Sequence, residues 1–200
     1  MPKKFFIDNF VDDYLSFLKD IKNLSDNSIK AYKRDIYKFR NFLISSRVSK
    51  LNDISEEICS SWIGYLYSMN IGSRSIQRHL SSVKGFFKYL QKNHLIGHSP
   101  LELISGPKTE KKLPETLTPE QINRLLDFEP VSLLEIRDLA IVELMYSSGL
   151  RVSETSNVDI QDFEENMSFL RVVGKGSKTR LVPLGRFAIS AIENLSLIHI

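Results

Sequence analysis

Two cations in the second half of this 200-residue sequence stand where a phosphate could be gripped and a leaving oxygen protonated. Arg151 directly follows the apolar segment Leu134–Tyr146 and a glycine turn at Gly149. A guanidinium anchored on such a rigid element suits bidentate phosphate binding. Lys175 stands between Gly174 and Gly176. At a hairpin tip of that composition the backbone can press close to a nucleic acid, and the ammonium can reach a leaving oxygen. Glu154, one turn after Arg151, could orient that arginine; it reads equally well as an ordinary exposed helix glutamate. Arg151 and Lys175 taken singly are short motifs of the kind that recur on solvated surfaces, so their weight comes from context.

The elements that must position these residues are legible. Thr118-Pro119-Glu120-Gln121 supplies an N-cap, a proline at the first helical position and a glutamine at the third. A helix through Leu126 follows. Ser132 with Glu135 repeats the capping pattern, and Leu134 to Tyr146 is apolar on nearly all sides, which predicts a helix buried within a domain. Gly149 can take positive φ and end it. After a short helix beyond Arg151, residues 168–173 and 179–182 read as strands joined by the turn Gly174-Lys175-Gly176-Ser177-Lys178, a hairpin.

The first half has a different character. Residues 1–99 carry 16 Lys and Arg against 9 Asp and Glu, whereas residues 100–200 carry 11 against 15. The first half is therefore the candidate polyanion binder. Four helices are predicted there, over 8–21, 26–45, 55–69 and 73–93. In the second, Ile29, Tyr32, Ile36, Phe39 and Leu43 follow 3-4-3-4 spacing and form one apolar stripe, with Lys30, Arg34 and Lys38 opposite. In the fourth, Ile76, Leu80, Val83, Phe87 and Leu90 form the stripe, and Arg74, Arg78, Lys84, Lys88 and Lys92 project from the far face. One such strip is usually a solvated surface; two in one small domain predict a groove that grips DNA phosphates and releases their counterions. Trp62, Tyr65 and Tyr67 read as core aromatics at helical spacing rather than as base-stacking platforms.

Residues 100–119 hold four of the seven prolines and read as an extended linker between a domain over 1–99 and one over 120–200. No apolar run approaches the roughly 20 residues that span a bilayer, which argues against a membrane role. The single cysteine, Cys59, rules out an internal disulfide framework or a cysteine-rich zinc site and suits a cytoplasmic setting.

In family order, these segments resemble the tyrosine recombinase (phage integrase) family, most closely its Xer-type members. Leu24-Ser25-Asp26-Asn27-Ser28-Ile29-Lys30-Ala31-Tyr32-Lys33-Arg34-Asp35-Ile36 is similar to the first helices of the family's core-binding domain, and residues 75–87 to its last long helix. Leu113-Pro114-Glu115-Thr116-Leu117-Thr118 is similar to the entry into the catalytic domain. Tyr146-Ser147-Ser148-Gly149-Leu150-Arg151-Val152-Ser153-Glu154 matches the motif of the first catalytic arginine, and residues 173–184 match the hairpin of the catalytic lysine.

The resemblance implies a mainly α protein: a four-helix SAM-like core-binding domain and an incomplete α+β catalytic domain with a β-hairpin. It makes Arg151 a clamp on the scissile phosphate and Lys175 the proton donor to the departing 5′-hydroxyl. The family reaction is a transesterification through a 3′-phosphotyrosyl bond, requiring no metal and no small-molecule cofactor. The partners it implies are a double-stranded recombination site and a second recombinase of the same family, in a tetrameric synapse. A start close to the core-binding domain tilts the expected role toward chromosome dimer resolution at cell division rather than integration of a mobile element.

The family pattern continues with a His-x-x-Arg box, a further His or Trp, and the nucleophilic tyrosine, and none follows Lys175 here. All seven tyrosines precede Arg151, and Tyr146 is predicted to lie in a buried helix. The expectation is a C-terminally truncated enzyme that does not cleave DNA unaided. Two other readings stay open: a catalytically silent DNA-binding module, and a helical transcription regulator, which would leave the Gly-Lys-Gly hairpin without purpose.

Overall fold

The structure, a computed structural model, describes residues 5–108, 113, 115–164, 167–174, 176 and 178–198. The chain divides into two compact units, Met1–Lys112 and Leu113–Ile200.

The first unit is built from α1 (Asp8–Asp20), α2 (Asp26–Ser45), α3 (Glu56–Ser68) and α4 (Ser73–Lys92). α1, α2 and α4 begin where the sequence predicts and α3 one residue later, and at α2 and α3 the start signal is a local side-chain cap. Ser25 accepts a hydrogen bond from the Ser28 amide to open α2, and Ser55 accepts from the Ile58 amide to open α3. A 3₁₀ turn at Leu51–Asp53, absent from the sequence reading, joins α2 to α3. The apolar stripes meet in one core. Ile36, Phe39 and Leu43 of α2 and all five stripe residues of α4 are buried with Val11 and Leu15 of α1 and Trp62 of α3. The Trp62 indole stands edge-on to Phe39 at 4.8 Å between ring centroids. Tyr65 and Tyr67, expected in the core with Trp62, are instead exposed, because their positions on α3 turn away from the buried Cys59-Trp62-Leu66 edge.

This core also takes in Leu101 and Ile104, both buried, so ordered packing runs beyond the boundary read at residue 99. Apolar side chains spaced three apart supply the reason, since burying them stabilises more than leaving them in a solvated tether. Lys108, Leu113 and residues 115–118 are exposed and outside any helix or strand. Lys111, Lys112 and Pro114, read as linker, lie outside the described residues.

The second unit contains α5 (Pro119–Leu126), α6 (Leu133–Ser148), α7 (Val152–Thr155), β1 (Phe163–Glu164), β2 (Phe169–Val173), β3 (Thr179–Pro183) and α8 (Arg186–Ile198). Both predicted capping boxes form, Thr118 with Gln121 and Ser132 with Glu135. Gly149 ends α6 in the left-handed conformation, φ 60°, where a side chain would be strained. The strands form an antiparallel sheet in the order β1-β2-β3. Across the hairpin, Leu170 faces Val182 and Val172 faces Arg180. Leu170, Val172 and Val182 are buried with Leu144 and Leu150.

Two expectations for this unit need correction. The sequence reading assigns no element after Val182, yet α8 packs along α6. And α6 is not buried: Ala140 and Leu144 are, but Leu134 is 61% and Tyr146 51% exposed. A helix apolar on all sides is covered only where something packs on it, and among the described residues α8, α7, α5 and β3 leave much of its surface open.

Candidate functional site

The basic strips of the first unit sit on helices that pack against each other, α2 on α4. Lys30, Arg34, Arg74 and Lys88 are exposed, and Lys38 and Lys84 are half-buried. Arg78 has a second commitment. It donates to the carboxylate of Asp35 on α2, which is buried and also accepts a 2.9 Å hydrogen bond from Ser82 Oγ. His79 is buried beside them, its Nδ1 3.0 Å from Asp35 Oδ1 but not aligned to hydrogen-bond with it. Burial holds the His79 imidazole below its usual range; Asp35 pulls the other way, while Arg78, Lys38 and Arg34 push it down further. Three members of the two strips thus share one electrostatic neighbourhood around a buried acid.

Lys33 and Arg40, also on α2, have local roles. The Lys33 ammonium lies 5.6 Å from the Tyr37 ring centroid. Arg40 forms a two-pronged pair with Asp8, its Nη2 donating to Oδ2 at 2.8 Å, and so ties α2 to α1. The two basic helices thus pack against each other, each with exposed cations among its residues.

In the second unit the focus is Glu154. α6 ends at Gly149, Leu150 is buried, and Arg151 caps the start of α7 in extended conformation. That turn points the Glu154 side chain back onto the Arg151 amide, which donates to Oε2 at 2.8 Å. The Arg151 guanidinium donates from Nη1 to Oε1, also at 2.8 Å. The carboxylate is buried, whereas the Arg151 side chain is 69% exposed. Glu154 is therefore no free surface acid; it anchors one edge of a guanidinium whose remainder faces solvent.

A residue outside the sequence-predicted set completes the arrangement. Arg180 of β3 donates from Nη1 to Glu154 Oε1 and from Nη2 to Oε2, each at 3.0 Å. These bonds, those from Arg180 first and then the Arg151 amide, bring the Glu154 carboxyl from 4.5 down to about 2. A signal for Arg180 exists in the sequence. Strand alternation puts it on the same inward face as Val182, and an inward arginine on a hairpin calls for a carboxylate.

Gly174, at the end of β2, closes the site from the hairpin side. A Cβ there would stand 2.8 Å from Arg180 Nη1 and 3.4 Å from Glu154 Oε1, so the close approach requires glycine. Gly176 adopts φ 76°, as the turn demands. Lys175, the predicted proton donor between them, lies outside the described residues. The arrangement holds two guanidinium groups around one carboxylate, with Arg151 presented outward. Such a site is suited to bind a phosphate diester, not to attack one.

Residues 11–94 match the family model described as phage integrase, N-terminal SAM-like domain, and residues 115–199 match that of the phage integrase family. The chain is 34% identical over 180 residues to tyrosine recombinase XerD of Staphylococcus epidermidis, covering 90% of this chain and 61% of that relative. It is 36% identical over 188 residues to tyrosine recombinase XerC of Pseudomonas syringae pv. tomato, covering 94% of this chain and 63% of that relative. Its fold is similar to a solved lambda integrase tetramer bound to a Holliday junction, with a TM-score of 0.69 at 18% identity over 94% of this chain and 55% of that one. The chain thus spans a little under two thirds of the length of the curated relatives it matches.

Proposed function

This chain belongs to the phage integrase family of tyrosine recombinases, and is of the Xer type; from that premise we propose that it serves site-specific DNA recombination, gripping duplex DNA with its first unit and a scissile phosphate with its second. The observation that carries the proposal is the outward Arg151 guanidinium, fixed on one edge by buried Glu154, with Gly174 at the end of β2 close by.

The chemistry follows from the charges. A phosphorane gains negative charge as it forms, and an arginine held at a fixed edge stabilises that charge without reorganising. Lys175 is the residue we assign to give a proton to the departing 5′-hydroxyl, the role that its family motif implies. The attacking group is a tyrosine, leaving a 3′-phosphotyrosyl bond. No tyrosine follows Lys175 among these 200 residues, so the groups they supply there are those that bind and stabilise the phosphate.

The strips that bear Lys30, Arg34, Lys38, Arg74, Lys84 and Lys88 bind backbone phosphates and set affinity rather than sequence. The working partner is a recombination site held in a tetrameric synapse with a second recombinase of the family. The proposed role is chromosome dimer resolution at cell division, in the cytoplasm. Among the described residues no helix is long and apolar enough to cross a membrane.

The test is a nicked suicide substrate carrying the recombination site. The 200-residue chain is expected to bind it and form no covalent adduct. Fused at its C-terminus to the C-terminal segment of the Staphylococcus epidermidis XerD relative that lies beyond the matched region, it is expected to form one. Arg151→Ala should then slow adduct formation by about 10²–10³, the usual cost of a lost transition-state charge contact. An adduct from the unfused chain, or indifference to Arg151→Ala, contradicts the proposal.

A further inference from the structure

We propose that Arg180 is a positioning residue for phosphate binding: it occupies both oxygens of Glu154, so that the carboxylate holds Arg151 in place without cancelling its charge. This rests on the reading of Arg151 as a phosphate clamp.

Alone with Arg151, Glu154 would form a neutral pair. A carboxylate 2.8 Å from the guanidinium fixes its direction but repels the phosphate it must receive. Arg180 removes that conflict. Its fork takes Oε1 and Oε2 together at 3.0 Å, the bidentate geometry that an arginine makes and a lysine cannot. Two cations now surround one anion, and the excess positive charge lies with Arg151, the more exposed of the two: its side chain is 69% exposed against 39% for Arg180.

The backbone is arranged around this contact. Val172 opposite Arg180 fixes the hairpin register that aims Arg180 inward. Gly174 leaves the space that the Arg180 Nη1 atom fills. The Leu184 amide bonds the Ser168 carbonyl, and the Gly185 amide donates to Ser147 Oγ at the end of α6 at 2.6 Å. Strand β3 is thereby held against the helix that leads to Arg151.

The experiment follows the Arg151 Nε–H resonance of the ¹⁵N-labelled 200-residue chain, assigned with Arg151→Lys, during titration with dimethyl phosphate. In the wild-type chain this resonance should shift saturably. Arg180→Gln should weaken the binding about three- to tenfold, and Arg180→Lys, which keeps the charge but not the fork, should lose less. The discriminating variant is Arg180→Gln combined with Glu154→Gln. Neutralising the carboxylate removes the need for its counterion while its amide oxygen can still accept from Arg151, so the double variant should bind more tightly than Arg180→Gln.

A double variant as weak as Arg180→Gln overturns the proposal, because a merely structural Arg180 would not be rescued by loss of a second charge. Unchanged affinity in Arg180→Gln overturns it as well. If instead the wild-type Arg151 resonance ignores dimethyl phosphate, the clamp reading of Arg151 fails first, which is a different result from a responsive Arg151 that is indifferent to Arg180.

Discussion

Arg78 of α4 reaches across to the buried carboxylate of Asp35 on α2, 43 positions away in the chain. Arg34, on α2 itself, lies 4.0 Å from the same carboxylate, but Arg78 hydrogen-bonds to it from another helix. That bond makes Arg78 both a strut between helices and a surface charge, with its side chain 43% exposed.

Arg78 and Lys88 should therefore fail differently. Lys88→Glu is expected to lower duplex affinity and flatten its salt dependence, leaving the thermal midpoint unchanged. Arg78→Ala should also destabilise the fold, by about 1–3 kcal/mol, because it takes a hydrogen-bonded cation from a buried carboxylate and leaves it the Ser82 hydroxyl and the more distant Arg34; partial exposure of the arginine keeps the cost below that of a fully buried pair. Calorimetry beside a salt titration separates the two effects, and equal thermal midpoints for both variants would refute the strut.

Glu154 makes stability depend on pH in a defined window. Its folded carboxyl lies at about 2 against an ordinary 4.5, so the unfolded state binds the proton more readily. The contribution is fully present above about 4.5 and is lost as pH falls toward 2. Glu154→Gln should remove that part of the acid slope. A ¹³C titration of the Glu154 carboxyl should find its midpoint near 2 in the wild type and higher in Arg180→Gln; the same midpoint in both would exclude Arg180 as its main partner.

Gly174→Ala tests the same contact from the backbone side. The new methyl group meets Arg180 Nη1 at 2.8 Å, and the flexible end of the arginine is what can move. The variant is expected to fold, to raise the Glu154 carboxyl midpoint, and to resemble Arg180→Gln in phosphate binding. A midpoint left near 2 would mean that Arg180 keeps its grip despite the methyl group.

The division into a unit before Lys112 and one after it is proposed as a division into domains that fold separately. Trypsin should then cut first near the exposed Lys108, releasing two fragments that resist further digestion. Early cleavage within α2, at Lys30 to Lys38, would show that the boundary lies elsewhere.

Lys175 as a general acid predicts a chemical rescue. In the fused recombinase, Lys175→Ala should slow cleavage of an ordinary substrate. A bridging 5′-sulfur at the scissile position should restore the rate, because a thiolate leaves without needing a proton. Failure of the sulfur substrate to restore cleavage, with DNA binding intact, would remove Lys175 from that role.

What the sequence determined by itself was everything set within a turn or two of chain. The starts of α2, α3, α5 and α6 follow from Ser25, Ser55, Thr118 and Ser132, each bonding an amide three residues on. The stop at Gly149 follows from one residue's freedom to take positive φ. The apolar stripes of α2 and α4 follow from helical periodicity, and the basic strips opposite them with it. The two motifs around Arg151 and Lys175 were equally plain, since each is contiguous.

Tertiary structure decided whatever depends on which faces meet. Arg78 looked like its neighbours until α2 and α4 packed and brought Asp35 beneath it. Arg180 joined the Arg151–Glu154 cluster only when the hairpin carried it across to Glu154, 26 positions away. Leu101 and Ile104 looked like linker until a core stood beside them, and Tyr146 looked buried until α6 proved to be covered on only part of its circumference. In each case the side chain's own chemistry was legible, but its partner was not. Local propensity acts over a few residues, whereas an ion pair or a buried surface is fixed by the distance between elements that the chain brings together only on folding.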